Sequence, residues 1–260
     1  MPLQLKVHFL PELTSPDALA NAAVAVIDVL RATTTITHAL AAGAIEVIPC
    51  LEVEQAETTA KNYPPDTTVC GGERGGLPIP GFQFGNSPTE YTAHSVAGKR
   101  VVFTTTNGTK AIMLCQRASR VAMAGFVNLS AVCRWLEPHA EVHLLCAGTR
   151  GEITREDVLL AGAMMHRLAA GKRPCTLNDQ AILARDAWRA CGAMADGGGG
   201  GAIDPVKLAA ELRNTQGGRN LAAIGLETDI DVAAQVDRFD CVGELDLGSW
   251  MIRVRGGSVR

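Results

Sequence analysis

The apolar and polar positions of this chain change period several times along its 260 residues. Short unbroken apolar runs, the pattern of strands buried on both faces, alternate with segments of helical spacing. The runs predict strands at 22–29, 45–49, 67–70, 100–104, 120–124 and 141–146, with helices after most of them. That alternation predicts an α/β fold, a three-layer α/β/α arrangement with a mixed or mostly parallel sheet. Ser87-Pro88-Thr89-Glu90 reads as a capping box with proline at the first helical position. Thr154 to Asp157 reads as a weaker cap, and Asp204-Pro205 repeats the device. Gly43 and Gly171 stand where helix-terminating glycines are expected. Residues 204–237 read as helical, and 241–245 as one further strand.

No repeat has a clear period and no strong domain break interrupts the chain, so 1–260 is read as a single α/β domain. Its one departure is the run Gly197 to Gly201, read as a surface loop inserted near 193–203, because ordering glycine costs more backbone entropy than ordering any other residue. A phosphate-binding role for that run is disfavoured, since no Gly-Lys-Ser/Thr follows it.

Composition narrows the partners. A net charge of -3, with no Lys/Arg cluster interleaved with aromatics, gives nucleic acid nothing to hold. No apolar stretch approaches the roughly 20 residues needed to span a bilayer, and the N-terminus lacks the apolar core of a secretory signal. The expectation is a cytoplasmic protein without membrane partners. The eight cysteines form no C-x-x-C pair in this fairly large chain and read as reduced core residues.

In open α/β sheets, ligands bind beyond the carboxyl ends of the strands, where helices begin. Four polar connections occupy such places. In the first, Asp28 lies near a strand end, Arg31 follows, and Thr33, Thr34 and Thr35 stand at a helix start. Unpaired N–H groups and the helix dipole favour an anion there, and a guanidinium fork suits phosphate or carboxylate. The same residues admit a simpler role, with Asp28 paired to Arg31 and the threonines capping the helix. The second connection, 71–91, carries Glu73, Arg74, Asn86 and Ser87 among glycines, prolines and aromatics. Connections this long are uncommon without a function.

The third connection offers Thr105, Thr106, Asn107, Gly108 and Thr109, read either as an oxyanion cradle or as an Asn-Gly turn with hydroxyl capping. The fourth, 146–162, puts Glu156 and Asp157 in a first helical turn, where the dipole alone would favour carboxylates. Asp28, Glu73, Asp157 and Asp179 are hard oxygen donors that suit Mg²⁺, which takes one or two carboxylates and keeps water or substrate oxygens in its other positions. Zinc is disfavoured: His139 and His143 are four apart, but Pro138 and the strand-like EVHLLC argue against a helical metal pair, so both read as structural. His38 reads as a helical polar-face residue.

The segments VIDVLRATTTI, GGERGGLPIPGFQFGNSP, TTTNGTKAI, AGTRGEITREDVLLAG and GRNLAAIGLETDIDVAAQVD, in this order and spacing, resemble the 2-phosphosulfolactate phosphatase family. The resemblance covers nearly the whole chain and rests on the ordered set more than on any one segment. It implies a Mg²⁺-dependent phosphatase that hydrolyses 2-phospho-3-sulfolactate, or a closely related phosphorylated hydroxy acid, to 3-sulfolactate and phosphate, a step toward coenzyme M. It also implies a small anionic substrate and a homodimer. Asp28, Arg31, Thr33 and Thr34 fall on the family's first motif; Glu73, Arg74, Asn86 and Ser87 on its second. Thr106, Asn107, Gly108 and Thr109 fall on its third, and Glu156 and Asp157 on its fourth.

Enzymes accelerate phosphate monoester hydrolysis by up to about 10²¹, roughly 28 kcal/mol of barrier, whereas one charge-assisted hydrogen bond supplies about 1.5 to 3 kcal/mol. The site therefore needs a metal, several donors and an aligned nucleophile together. The expected roles are Asp28, Arg31 and Glu73 in catalysis and Asp28, Glu73 and Asp157 on the metal. The backbone of 106–109 would meet phosphoryl oxygens, with Arg74 free for the sulfonate or carboxylate. Asp28 as a nucleophile forming an aspartyl phosphate is the rival mechanism. A non-catalytic anion- or nucleotide-binding module and a phosphotransferase are the rival functions; the second is weakened by the lack of a Walker-type loop.

Overall fold

The computed structural model describes residues 2–171, 173–194 and 202–255. The glycine run at 197–201 lies outside them. In chain order the strands are β1 (Leu3–His8), β2 (Ala23–Ile27), β3 (Glu46–Pro49), β4 (Thr68–Arg74), β5 (Leu77–Pro78), β6 (Arg100–Thr104), β7 (Arg120–Ala124), β8 (Glu141–Cys146), β9 (Cys175–Leu177), β10 (Gly243–Asp246) and β11 (Met251–Val254). The helices are α1 (Ala32–Ala41), α2 (Val53–Ala60), α3 (Ala93–Val96), α4 (Gly108–Leu114), α5 (Leu129–Leu136), α6 (Arg155–Ala169), α7 (Asp179–Ala190), α8 (Pro205–Arg213), α9 (Gln216–Ala223) and α10 (Thr228–Ala233).

All the strands join one mixed sheet in the order β5-β4-β6-β3-β11-β10-β7-β2-β8-β1-β9. Two parallel blocks, β4-β6-β3 and β7-β2-β8-β1-β9, are bridged by the antiparallel hairpin β10–β11. Helices cover both faces, as the three-layer expectation requires. One apolar cluster joins one face of the larger block to α5, α6 and α7, with α8, α9 and α10 at its margin. A second is shared by β2, β7 and β8, by β3 and β6, and by α1 and α4, so those two helices pack against strands of both blocks. Strand ends from both blocks border one cavity.

β2 is buried along its whole length because parallel neighbours flank it on both sides and helices cover both faces, which is why its sequence shows no alternation. The expected strands at 22–29, 45–49, 67–70, 100–104, 120–124 and 141–146 correspond to β2, β3, β4, β6, β7 and β8. The strands β1, β9 and β11 lie beyond the periodic pattern. Asp204 caps α8 through Val206 N and Lys207 N. The Ser87 cap is corrected: residues 88–90 form a single 3₁₀ turn, and the Ser87 hydroxyl donates to Asp229 Oδ1 (2.6 Å) instead of capping it. His38 is corrected too, being buried edge-on against Phe239 with burial pushing its pKa down to about 4.

Candidate active site

The turn after β2 is built by its own polar residues. The Thr33 hydroxyl lies 2.6 Å from Ala124 O and 2.9 Å from Asp28 O, with one proton to donate between them, and accepts from Asp28 N; the Thr34 hydroxyl donates to Val29 O; the Thr35 hydroxyl donates to Asn86 O. These hydroxyls satisfy backbone groups that leave the strand without a ladder partner. Thr33 and Thr34, expected to bind substrate, therefore work as backbone ties and do not line the cavity. Arg31 stands at the N-cap of α1, after a cis Leu30–Arg31 peptide.

A cavity of about 270 Å³ opens at these strand ends. Asp28, Arg31, Glu73, Asn86, Thr106 and Asn107 all line it, so the first three expected connections meet. The β4–β5 turn supplies Gly75 (φ 62°) and Gly76 (φ 87°), left-handed positions that suit glycine. That turn returns Gly76 N to Glu73 Oε2 at 2.6 Å and presents Gly76 O to Arg31 Nη2 at 3.0 Å. Thr106 meets Glu73 through its N–H (2.6 Å) and its hydroxyl (3.2 Å). Glu73 is thereby locked between two connections from neighbouring strands.

Arg31 is not the partner of Asp28. Its Nη1 meets Asp229 Oδ2 at 2.7 Å, and Asp229 also accepts the Ser87 hydroxyl. Ser87 is thus a support for Asp229 and no cavity residue. Arg74, expected to be free for substrate, donates to Glu73 O, Leu51 O and Thr104 Oγ1 and does not line the cavity. The oxyanion cradle at 106–109 is also corrected. Thr106 N serves Glu73, Thr109 bonds within its own turn to Thr105, and Gly108 packs close behind Asp28, where a Cβ would lie 2.8 Å from Asp28 Oδ2. Asn107 Oδ1 accepts Arg150 N.

Behind the cavity wall, Asp157 Oδ1 accepts Val29 N and Oδ2 accepts Gly148 N. Asp157, expected on a metal, instead ties the loop after β8 to the loop after β2. Glu156 Oε1 accepts Gly217 N, and Oε2 is buried with no partner. Asp179 is exposed at the start of α7, which follows the edge strand β9, away from the cavity. His139 and His143 lie outside it as well.

Several acids crowd this region. Burial pushes Asp28 up to about 7, an effect reinforced by the Glu73 and Glu156 charges and opposed by the Ala32 N–H and by Arg31. Burial, then the charges of Asp28 and Glu156, hold Asp157 well above the usual carboxylate range. Among the described residues no three Asp, Glu, His or Cys side chains converge as a ready metal cage. The residues that could hold a hard cation are two cavity carboxylates, Asp28 and Glu73, and Asn86, whose buried Oδ1 has no hydrogen-bond partner. Two acids and an amide oxygen suit a cation that keeps other positions for water or substrate.

The helical stretch near the C-terminus supplies a wall that the sequence reading left without a role. Gly217, Asn220, Leu221 and Ala223 of α9, with Ile224 after it, line the cavity, as do Thr149 and Arg150. The local signals were slight: Thr215 as an N-cap for α9 and the strand-end position of Thr149.

A cavity at the strand ends, lined by two carboxylates and two arginines, fits an α/β enzyme that handles a small charged molecule. The 2-phosphosulpholactate phosphatase family model matches residues 8–248, and the chain belongs to that family. It is 40% identical over 221 residues to a protein of Symbiobacterium thermophilum, covering 85% of this chain and 89% of the relative. It is 40% identical over 237 residues to one of Deinococcus radiodurans, covering 90% of each. A third relative, from Caldanaerobacter subterraneus, is 38% identical over 226 residues, covering 86% of this chain and 88% of its own. Each bears the name "Probable 2-phosphosulfolactate phosphatase".

Proposed function

We propose that this chain is a Mg²⁺-dependent phosphatase that hydrolyses 2-phospho-3-sulfolactate, or a closely related phosphorylated hydroxy acid, in the cytoplasm. The observation that carries the reading is the single cavity into which Asp28, Arg31, Glu73 and Asn86 converge from separate connections. Asp28 and Glu73, with Asn86, would hold Mg²⁺, which when bound supplies positive charge to the phosphoryl group and acidifies water. Arg31, fixed at one end by Asp229 and Gly76 O, turns its remaining N–H donors toward the phosphoryl oxygens. Because those anchors are already made, little reorganisation is needed as charge develops. Thr106 and Asn107 border the same space and orient the ester. Water adds to phosphorus, the ester oxygen leaves with a proton as the hydroxy acid, and inorganic phosphate is released.

One observation favours a second route at the same site. Asp28 Oδ1 accepts Ala32 N, while Oδ2 accepts no hydrogen bond among the described residues, which leaves it able to attack phosphorus and form an aspartyl phosphate. Phosphate release from a panel of phosphorylated hydroxy acids, measured with Mg²⁺ and with chelator, tests the main reading. Release from 2-phospho-3-sulfolactate that stops with chelator supports it, and no metal-dependent release from any member would overturn it. A phosphoenzyme trapped during turnover and absent in Asp28→Asn would select the covalent route.

A further inference from the structure

Beside the cavity already described lies a second one of about 360 Å³ that shares Thr106, Asn107 and Arg150 with it. Asp28, Arg31 and Glu73 do not reach this second space. Its charged walls are Arg150, Lys110 and one carboxylate, Glu12. Arg150 therefore stands at the junction of the two.

Four features set Arg150 apart from the other arginines near the site. Arg31 is bound to Asp229, and Arg74 is consumed by backbone and hydroxyl oxygens. The Arg150 guanidinium has no hydrogen bond or ion pair among the described residues, and neither does the Lys110 ammonium. The backbone beneath Arg150 is nonetheless fixed. Its N–H donates to Asn107 Oδ1 at 3.0 Å, and Thr149 and Glu152 close the turn by exchanging N–H···O bonds at 2.9 and 3.0 Å. Arg150 also holds a left-handed φ of 53°, a conformation that non-glycine residues seldom adopt and that clusters at ligand sites. Its Nη2 lies 3.6 Å from where a Cβ on Gly75 would stand, which puts the guanidinium over the wall of the main cavity.

We propose that Arg150, with Lys110 behind it, forms a second anion subsite that binds the acidic group of the substrate farthest from its phosphoryl group. This inference rests on the phosphatase reading of the main cavity. A substrate whose phosphoryl group sits between Arg31 and the acidic side chains would send its far end toward the junction, where the Arg150 guanidinium stands without a partner among the described residues. The sulfonate on the neighbouring carbon would meet Arg150 as a forked donor, while Glu12, which lines the same second cavity, disfavours an anion close to it. Arg150 is thus a specificity residue that selects substrates acidic at both ends.

The test compares 2-phospho-3-sulfolactate with 2-phospholactate, which keeps the carboxylate and lacks the sulfonate. Arg150→Ala is expected to lower kcat/KM for the sulfonated substrate by about 10- to 100-fold, chiefly through KM, with a loss for 2-phospholactate about tenfold smaller. Arg150→Lys should recover part of the loss, and Lys110→Ala should repeat it weakly. Equal losses on both substrates, or none on either, would overturn the subsite. Calorimetric titration of 3-sulfolactate and lactate into the wild type and Arg150→Ala gives a readout free of turnover. Weaker binding of 3-sulfolactate alone in the variant sustains the subsite even if no phosphate is ever released, an outcome that would sink the phosphatase reading by itself. Unchanged 3-sulfolactate binding would refute the subsite even in an active enzyme.

Discussion

Arg31 and Asp229 stand 198 positions apart and meet at 2.7 Å, their side chains 4% and 0% exposed. The pair fastens the C-terminal helical layer to the turn that opens α1. It also fixes the direction of the one arginine that both lines the cavity and has a buried anchor. Removing one member of a buried pair strands the other, at a cost of about 3–5 kcal/mol. Asp229→Asn is expected to lower the unfolding midpoint by roughly 6–20 °C. Turnover of the phosphorylated substrate should fall at least tenfold in the material that remains folded. Ser87→Ala, which removes only the second bond to Asp229, should act in the same direction and more weakly. Thermal unfolding with steady-state kinetics checks this, and a wild-type profile for Asp229→Asn would refute it.

Asp28 makes an opposite prediction for stability and activity. Its folded pKa, near 7, lies above its ordinary 3.8, so between those values the folded chain binds the extra proton. Stability from this group is therefore full at low pH and is lost as pH rises through about 7. In chelator at pH 8, Asp28→Asn should melt roughly 2–6 °C above the wild type, with the gap closing toward pH 4, while phosphatase activity disappears. Mg²⁺ should raise the wild-type midpoint and leave the variant unmoved. A variant no more stable than the wild type at pH 8 would contradict the electrostatic account.

The acid side is governed by histidines held neutral. Burial pushes His8 down to about 4, helped by the charges of His143 and Lys6, and burial with the Arg238 charge does the same to His38. The unfolded chain takes up these protons near 6.5 and the folded chain near 4. Stability is accordingly present above 6.5 and falls as pH drops toward 4, by up to about 1.4 kcal/mol per pH unit for each histidine. His38→Phe should flatten part of that slope, read from denaturant midpoints across the interval. An unchanged slope would show that His38 does not carry it.

Gly108 has no room for a side chain. A Cβ there would lie 2.5 Å from Ala32 Cβ and 2.8 Å from Asp28 Oδ2, against two elements that cannot retreat independently. Gly108→Ala is expected to cost about 1–3 kcal/mol of stability and to displace Asp28. Activity should fall more steeply than stability. Equal kinetics for variant and wild type would rule out this close packing as a requirement for the site.

The central strands were legible because β2, β7 and β8 are buried on both faces, and a strand in that setting is predominantly apolar. The edge strand β9 and the partner β11 of the strand expected at 241–245 were not: short, polar or mixed segments acquire strand geometry only from the neighbours they pair with. The site was legible by residue type and position, through Asp28, Glu73, Asn86 and Asn107 at or near strand ends. It was illegible by role. Thr33, Ser87 and Asp157 look like ligand groups in sequence, yet in three dimensions they satisfy backbone N–H and C=O groups or a buried charge. Arg150 and Asp229 had no local signal, because a guanidinium without a partner and a carboxylate with a distant one read alike in one dimension.

The sequence alone determined the α/β alternation and the set of polar strand ends, since these follow from periodicity and from residue types at turns, and it carried the ordered segments by which it resembles its family. Only the tertiary structure decided which arginine is anchored, which acids face the cavity and which hold loops in place. Those outcomes depend on burial and on partners far along the chain, which come together where both strand blocks pack against α1 and α4.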